Sequence, residues 1–313
     1  MAKRKKGQPI HGWVNFYKPK GMTSTQAVGK VRWIFNAQKA GHAGTLDPLA
    51  EGILPIALGE ATKTVSYIQD AIKIYAFDII WGEARSTEDA EGDVTATSDH
   101  RPSQQELLDI LPVFTGDIEQ TPPAYSAIKI DGERAYDIAR RGETPEMKSR
   151  PAYIESIECK AHSEAFTSLE VICGKGTYVR SLGRDIALKL GSVAYIDNLR
   201  RLQVGAFDEA MSISLDKLEE MRHNNTHIEA LLPVDAGLDD IPSLPLTDNE
   251  ASMVKRGQVL SFVSKADNHR LDGIRDEENP RDAVTVLALC NDKPVGFVDV
   301  EGIYVKPKKL FNL

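Results

Sequence analysis

Cysteine is nearly absent from this sequence. Cys159, Cys173 and Cys290 are the only three in 313 residues, odd in number and far apart. That excludes a disulfide framework and a cysteine-based zinc site, and it fits a reducing, cytoplasmic setting. Long hydrophobic runs are missing too. No stretch reaches the ~18 consecutive apolar residues that a membrane-crossing helix needs. Met1-Ala2-Lys3-Arg4-Lys5-Lys6 is basic with no apolar stretch behind it, unlike a secretory leader. No Gly-Lys-Ser/Thr phosphate loop occurs. Gly174-Lys175-Gly176 is not a dinucleotide fingerprint, because Val179 stands where the third glycine is needed. His223 and His227 are four apart but lack the glutamate of a His-Glu-x-x-His site. No metal and no membrane partner are therefore expected.

What is present is an ample core and an uneven charge. Apolar residues make up 42% of a chain long enough for one large domain or two. The net charge is −8, yet residues 1–63 hold ten Lys/Arg against three Asp/Glu, an excess of +7 that leaves −15 on the remainder. Phosphate binding depends on such a local patch and not on the total, although a basic arm is often only a solvated tail.

The most punctuated stretch is Gly41-His42-Ala43-Gly44-Thr45-Leu46-Asp47-Pro48-Leu49-Ala50-Glu51-Gly52-Ile53-Leu54-Pro55-Ile56-Ala57-Leu58-Gly59. Gly41 and Gly44 allow positive φ or close backbone approach. Pro48 pushes Asp47 away from helical angles. Ile53–Leu58 reads as a short buried strand anchoring the loop. One acid on a shaped loop suits a nucleophile or general base. Asp before Pro is also ordinary turn chemistry.

The pattern Gly-His-x-Gly-Thr-Leu-Asp-Pro-x-Ala-x-Gly-x-Leu-Pro resembles the catalytic loop of the bacterial tRNA pseudouridine-55 synthases, the TruB family. Matching segments recur from about Trp13 to the C-terminus. The resemblance implies that Asp47 is the essential catalytic residue and that His42 lies at the RNA, filling the stack when the target nucleoside leaves it. Lys18-Pro19-Lys20-Gly21, ahead of Thr23-Ser24, resembles the first motif of the family, which packs behind the site; Lys18 read alone is surface charge. Trp13–Tyr17 reads as a strand. Thr23, Ser24 and Thr25 offer caps for a helix that Gly41 can end.

Ala61–Gln69 reads as a helix carrying Lys63, a substrate contact on the family reading. Ile72–Trp81 alternates as a strand with Lys73, Tyr75, Phe77, Ile79 and Trp81 on one face. Tyr75 read alone is core; the resemblance implies that it stacks on the target uracil. Arg85-Ser86-Thr87 departs from the family's Thr-Asp-Thr, while Asp89 and Gly92 match, so an RNA contact is expected at Asp89. Ser103–Glu106 and Thr247–Glu250 read as helix caps, the first as a capping box. Residues 121–150 read as a surface hairpin plus helix, by resemblance a thumb over the RNA arm. Phe166–Cys173 reads as a strand, and a helix runs on to Gly191. Tyr178 and Arg180 match the family's second motif, in which the arginine pairs with the aspartate; alone, Arg180 is a helix-start charge. Leu199, in the Leu199–Leu202 stretch that opens the next strand, matches a residue lining the uracil pocket.

Short strands at Val259–Val263, Ala283–Cys290, Pro294–Val300 and Ile303–Val305 read as a small β-barrel, by resemblance a PUA domain, with 266–282 as a loop. The expected architecture is α+β: a mixed-sheet catalytic domain over 1–245 with the insertion, then a PUA-like domain over 246–313. The resemblance implies isomerisation of uridine 55 in the T-loop of tRNA, a reaction with no redox change or external group and so no cofactor, by a monomer. An RNA-binding or RNA-folding protein without chemistry, and a small-molecule enzyme, are the other classes. An intact Asp47 speaks against the first, and the missing nucleotide loops against the second.

Overall fold

The structure, a computed structural model, describes residues 7–275, 279 and 282–313. The basic segment Met1–Lys6 lies outside them. The chain opens with β1 (Gly12–Lys18), α1 (Ser24–Ile34), β2 (Ala40–His42), β3 (Glu51–Leu58), a 3-10 turn at Gly59–Lys63, α2 (Val65–Asp70) and β4 (Lys73–Trp81). Thr23 and Gln26 close a reciprocal capping box that starts α1. The helix ends at Ile34, not at Gly41 as expected. Asn36 takes the left-handed conformation at φ 49, which asparagine tolerates, and Gly41 instead joins β2 opposite Ala57. On β4 Lys73, Phe77, Ile79 and Trp81 are buried and Tyr75 is half-buried, the face that the alternation predicts.

Next come β5 (Glu83–Arg85), β6 (Val94–Thr97), α3 (Gln104–Ile110), β7 (Gly116–Gln120), β8 (Lys129–Ile130), β9 (Glu133–Arg134) and α4 (Ala135–Arg140). The box at Ser103 and Glu106 forms, and residues 121–150 contain the β8–β9 hairpin followed by α4. Then follow β10 (Arg150–His162), β11 (Phe166–Cys173), α5 (Val179–Lys189), β12 (Ala194–Val204), β13 (Phe207–Asp208), β14 (Ile213–Ser214) and α6 (Leu215–His223). The strand expected to open at Leu199 begins five residues earlier, at Ala194.

Ten strands form one mixed sheet. Its main path runs β14-β1-β3-β12-β4-β11-β10-β7, with β2 beside β3 and β13 beside β12. β12 lies at the centre, parallel to β3 and antiparallel to β4. Gly52 permits that contact. It sits at φ 109, and a Cβ there would lie 2.2 Å from the Arg201 carbonyl oxygen.

The C-terminal part holds β15 (Ser243–Pro245), α7 (Asp248–Lys255), β16 (Leu260–Ser261), α8 (Lys265–His269), β17 (Val284–Cys290), β18 (Lys293–Glu301) and β19 (Tyr304–Leu310). Its strands make a second, five-stranded sheet. α8 corrects only the first residues of the loop expected over 266–282, of which 276–278, 280 and 281 lie outside the described residues: the Ser264 hydroxyl accepts the Asp267 amide and starts a helical turn. The fold is α+β, a large mixed sheet followed by a curled C-terminal β-domain. An apolar cluster joins the two, with Trp13, Phe207 and Val234 packed with Phe297 and Phe311. Tyr67 of α2 stacks on Phe297 at 4.3 Å.

Candidate active site

The loop between β2 and β3 is fixed on both sides of Asp47. Gly44 turns the chain at φ 100, a conformation that strains any side chain. Ser24 Oγ accepts from the Leu46 amide and donates to its carbonyl, both at 2.9 Å. The Gly21 amide donates to the Pro48 carbonyl at 2.7 Å. Lys18 Nζ donates to the carbonyls of Met22 (2.7 Å), Pro19 (3.0 Å) and Pro48 (3.4 Å). Lys18 is fully buried, and this desolvation pulls its amine down to about 8, with the Asp47 charge opposing. It is therefore neither surface charge nor a group with a face toward RNA; it ties the turn after β1 to the Asp47 loop.

Arg180 meets Asp47 from the first turn of α5. Its Nη2 lies 2.9 Å from Asp47 Oδ2, with Arg180 buried and Asp47 half-buried. Nη2 also donates to the Tyr125 carbonyl and Nη1 to that of Thr87, both at 3.0 Å. Asp89 stands behind, 3.5 Å from Nη1. Asp89 is 2% exposed and accepts from Thr87 Oγ1 and the Glu91 amide. Without RNA, Asp89, expected at the RNA, is enclosed against Arg180. Burial raises its pKa, while the Thr87 hydroxyl and Arg180 pull the other way.

A cavity of about 680 Å³ opens over this pair, lined by Asp47, Tyr75, Tyr178, Arg180, Leu199 and Arg201 among others. Five expected site residues are therefore brought together from β4, β12, the Asp47 loop and the start of α5. Burial raises the phenols of Tyr75 and Tyr178. Tyr178 is pinned by Gln120: its amide donates to Gln120 Oε1 at 2.7 Å, and Gln120 Nε2 returns a bond to its carbonyl at 3.0 Å.

The other expected residues do not line this cavity. His42 is half-buried on β2. Its Nδ1 is buried without a partner, and burial, then Arg201, lowers its pKa. Lys63 Nζ donates to the Leu310 carbonyl at 2.6 Å and pairs with Glu60, so it spans the contact with the C-terminal domain. The largest omission from the sequence reading is Arg201, 1% exposed, whose Nε donates to the Ile53 carbonyl (2.7 Å), Nη2 to Gly44 (3.1 Å) and Nη1 to Thr45 (3.3 Å). Its place two residues after Leu199 on one strand was the available signal.

No group of three His, Cys, Asp or Glu able to hold a metal ion occurs among the described residues. The model of the TruB family pseudouridylate synthase N-terminal domain matches residues 32–179. That of the tRNA pseudouridylate synthase B C-terminal domain matches 180–239, which lies within the large-sheet region. The chain is 45% identical to a tRNA pseudouridine synthase B of Rhodospirillum rubrum, covering all of both chains. It is 46% identical to one of Brucella anthropi, covering 100% of this chain and 99% of that one. Among solved structures, a chain of a Cbf5-Nop10-Gar1 complex superposes with a TM-score of 0.70 and 25% identity, over 96% of this chain and 84% of that one. A chain of an H/ACA RNP bound to a substrate RNA containing 2'-deoxyuridine shares the fold, with a TM-score of 0.72 at 21% identity over 100% and 92%. The chain belongs to the TruB family of pseudouridylate synthases.

Proposed function

We propose that this TruB-family chain converts uridine 55 in the T-loop of tRNA to pseudouridine, with Asp47 as the catalytic group and no cofactor. The carrying observation is the Asp47–Arg180 pair at 2.9 Å over the cavity that Tyr75 and Leu199 line. Full-length relatives carry the name tRNA pseudouridine synthase B, which supports tRNA as the substrate. The N-glycosidic bond breaks, the uracil turns, and C5 bonds to the sugar. Asp47 attacks the base, attacks the sugar or abstracts a sugar proton.

A loop carboxylate cannot reach a base stacked inside the tRNA elbow, so the nucleotide must leave the stack. Extrusion costs a few kcal/mol. Stacking on an aromatic side chain returns about 1–3 kcal/mol. Tyr75 supplies that ring, Leu199 an apolar wall that excludes water, and His42 stands near the vacated stack. Exposed Arg150 and Lys175 line the same cavity and suit the phosphate backbone.

The test is tritium release from tRNA labelled at uridine C5, where the new bond displaces the hydrogen. Release equal to one uridine per tRNA, mapped to position 55, is the expected result. Binding without release would instead support an RNA-folding protein.

A further inference from the structure

The Asp47 region carries more buried cations than buried carboxylates. Besides Arg180, Lys18, Lys73 and Arg201 are 0%, 6% and 1% exposed. Asp47 and Asp89 both face Arg180. Among the described residues, none of the other three cations is in an ion pair; each is committed to backbone carbonyls. A buried charge without a counter-ion is costly, and carbonyl dipoles offset only part of the lost hydration. A core built for stability alone would place apolar side chains there. The surplus thus points to a negative charge that arises during the reaction.

Arg201 is the best placed of the three. It lines the cavity with Tyr75 and holds the carbonyls of Gly44 and Thr45 just before Asp47. Three of its five N–H donors go to carbonyls, and its charge has no carboxylate to neutralise it. We propose that Arg201 is a positioning residue with two duties: it aims Asp47 by gripping Gly44 and Thr45, and its unpaired charge stabilises the uracil anion formed when the glycosidic bond breaks. This rests on the isomerase reading above.

As C1′–N1 breaks, both bonding electrons leave with N1, so the base carries one negative charge spread over N1, O2 and O4, and C1′ is left one pair short, a deficit that Asp47 meets by bonding C1′ or by holding a sugar proton until C5 attacks. When C5 bonds to C1′, a pair from that anion forms the bond. The C5 proton is then lost and N1 takes up a proton, leaving a neutral isomer. A fixed cation near the base favours the intermediate over the neutral substrate, which is the difference that accelerates a reaction.

Arg201→Gln removes the charge, and Arg201→Lys keeps it while losing the three-way grip. Single-turnover bond cleavage is measured on tRNA carrying uridine or 5-fluorouridine at the target, beside a tRNA-binding titration and a melting curve. Fluorine withdraws electrons and makes the base a better leaving group. Arg201→Gln should bind tRNA as the wild type does, lose on the order of 100-fold with uridine and less than about tenfold with 5-fluorouridine. Arg201→Lys should cleave both more slowly than wild type, in the wild-type ratio. Equal losses for Arg201→Gln on both substrates, or weaker tRNA binding with unchanged cleavage, would overturn the proposal. If Arg201→Gln does not fold, Arg201→Lys decides: a ratio shifted toward 5-fluorouridine overturns it. Absence of pseudouridine from the wild-type reaction would instead refute the underlying function.

Discussion

In the C-terminal sheet, cations meet carboxylates at the surface. Lys308 lies 3.0 Å from Asp299, and Lys306 pairs with Glu301. The core beneath is apolar, built from residues such as Leu244, Val286, Val298 and Val305. In the large sheet, Lys18, Lys73 and Arg201 are stripped of water and given carbonyls instead. Every buried polar or charged side chain among the described residues falls at or before Arg201. Exposed pairs contribute roughly 0–1 kcal/mol and cost little to keep. Buried cations cost several kcal/mol each, so a fold tolerates them where they do something else. The small sheet is organised for stability and the large one around Asp47.

Substitutions on the costly side should have the larger consequences. Asp47→Asn keeps size and removes the charged oxygen. It should fold, bind tRNA and lose on the order of 10⁴-fold or more in single-turnover tritium release. Substantial turnover by this variant would return Asp47 to the role of a turn residue. Arg180→Met comes next. Asp47 and Asp89 then share a site with no cation between them, so activity should fall on the order of 10²- to 10³-fold. Stability should fall by roughly 3–5 kcal/mol, because the buried Asp89 is left unpaired. Urea denaturation beside the kinetics separates the two losses.

These predictions use residues that differ in how readily the sequence reveals them. Asp47 and Arg180 stand out because glycines and a proline punctuate their loops. The strand period from Lys73 to Trp81 and the caps at Ser103 and Thr247 are likewise local signals, and all three form. Lys18, Lys73 and Arg201 are opaque for a physical reason. Lysine and arginine are almost always solvated, so composition assigns them to the surface. Only strand-face relations to buried residues, Lys73 to Phe77 and Arg201 to Leu199, mark the last two as inward. The burial of Asp89 is hidden in the same way, since a polar loop gives no sign that Arg180 closes over it. Asn36 ending α1 ahead of Gly41 reflects a tolerance that glycine shares, so residue type alone leaves the choice open.

Lys18→Met tests a buried cation away from the cavity lining. The Pro19 and Met22 carbonyls lose the amine while Pro48 keeps the Gly21 amide, which should cost roughly 1–3 kcal/mol at neutral pH. The pH dependence has a definite sign. The amine titrates near 8 in the fold against 10.5 when free. Between those values the unfolded chain holds a proton that the folded chain has released, so unfolding takes up a proton and folding is favoured as pH rises. The wild-type advantage over Lys18→Met should therefore widen from pH 8 toward 10.5 in urea titrations. A gap that narrows would mean that the amine is not depressed.

The smallest effect belongs to the C-terminal sheet. Lys308 Nζ contacts Asp299 Oδ1 at 3.0 Å and Thr285 Oγ1 at 2.7 Å, with its side chain 47% exposed. The Thr285 hydroxyl already donates to Asp299 at 2.6 Å. After Lys308→Ala, Asp299 keeps that hydroxyl and gains water, so no charge is stranded. The loss of stability should stay below about 1 kcal/mol and shrink further in high salt, because an exposed pair is screened. Thermal melts at low and high ionic strength read both. A loss of several kcal/mol that persists in salt would mean that the C-terminal sheet depends on its charges as the large sheet does. Burial without a counter-ion would then no longer single out the Asp47 site.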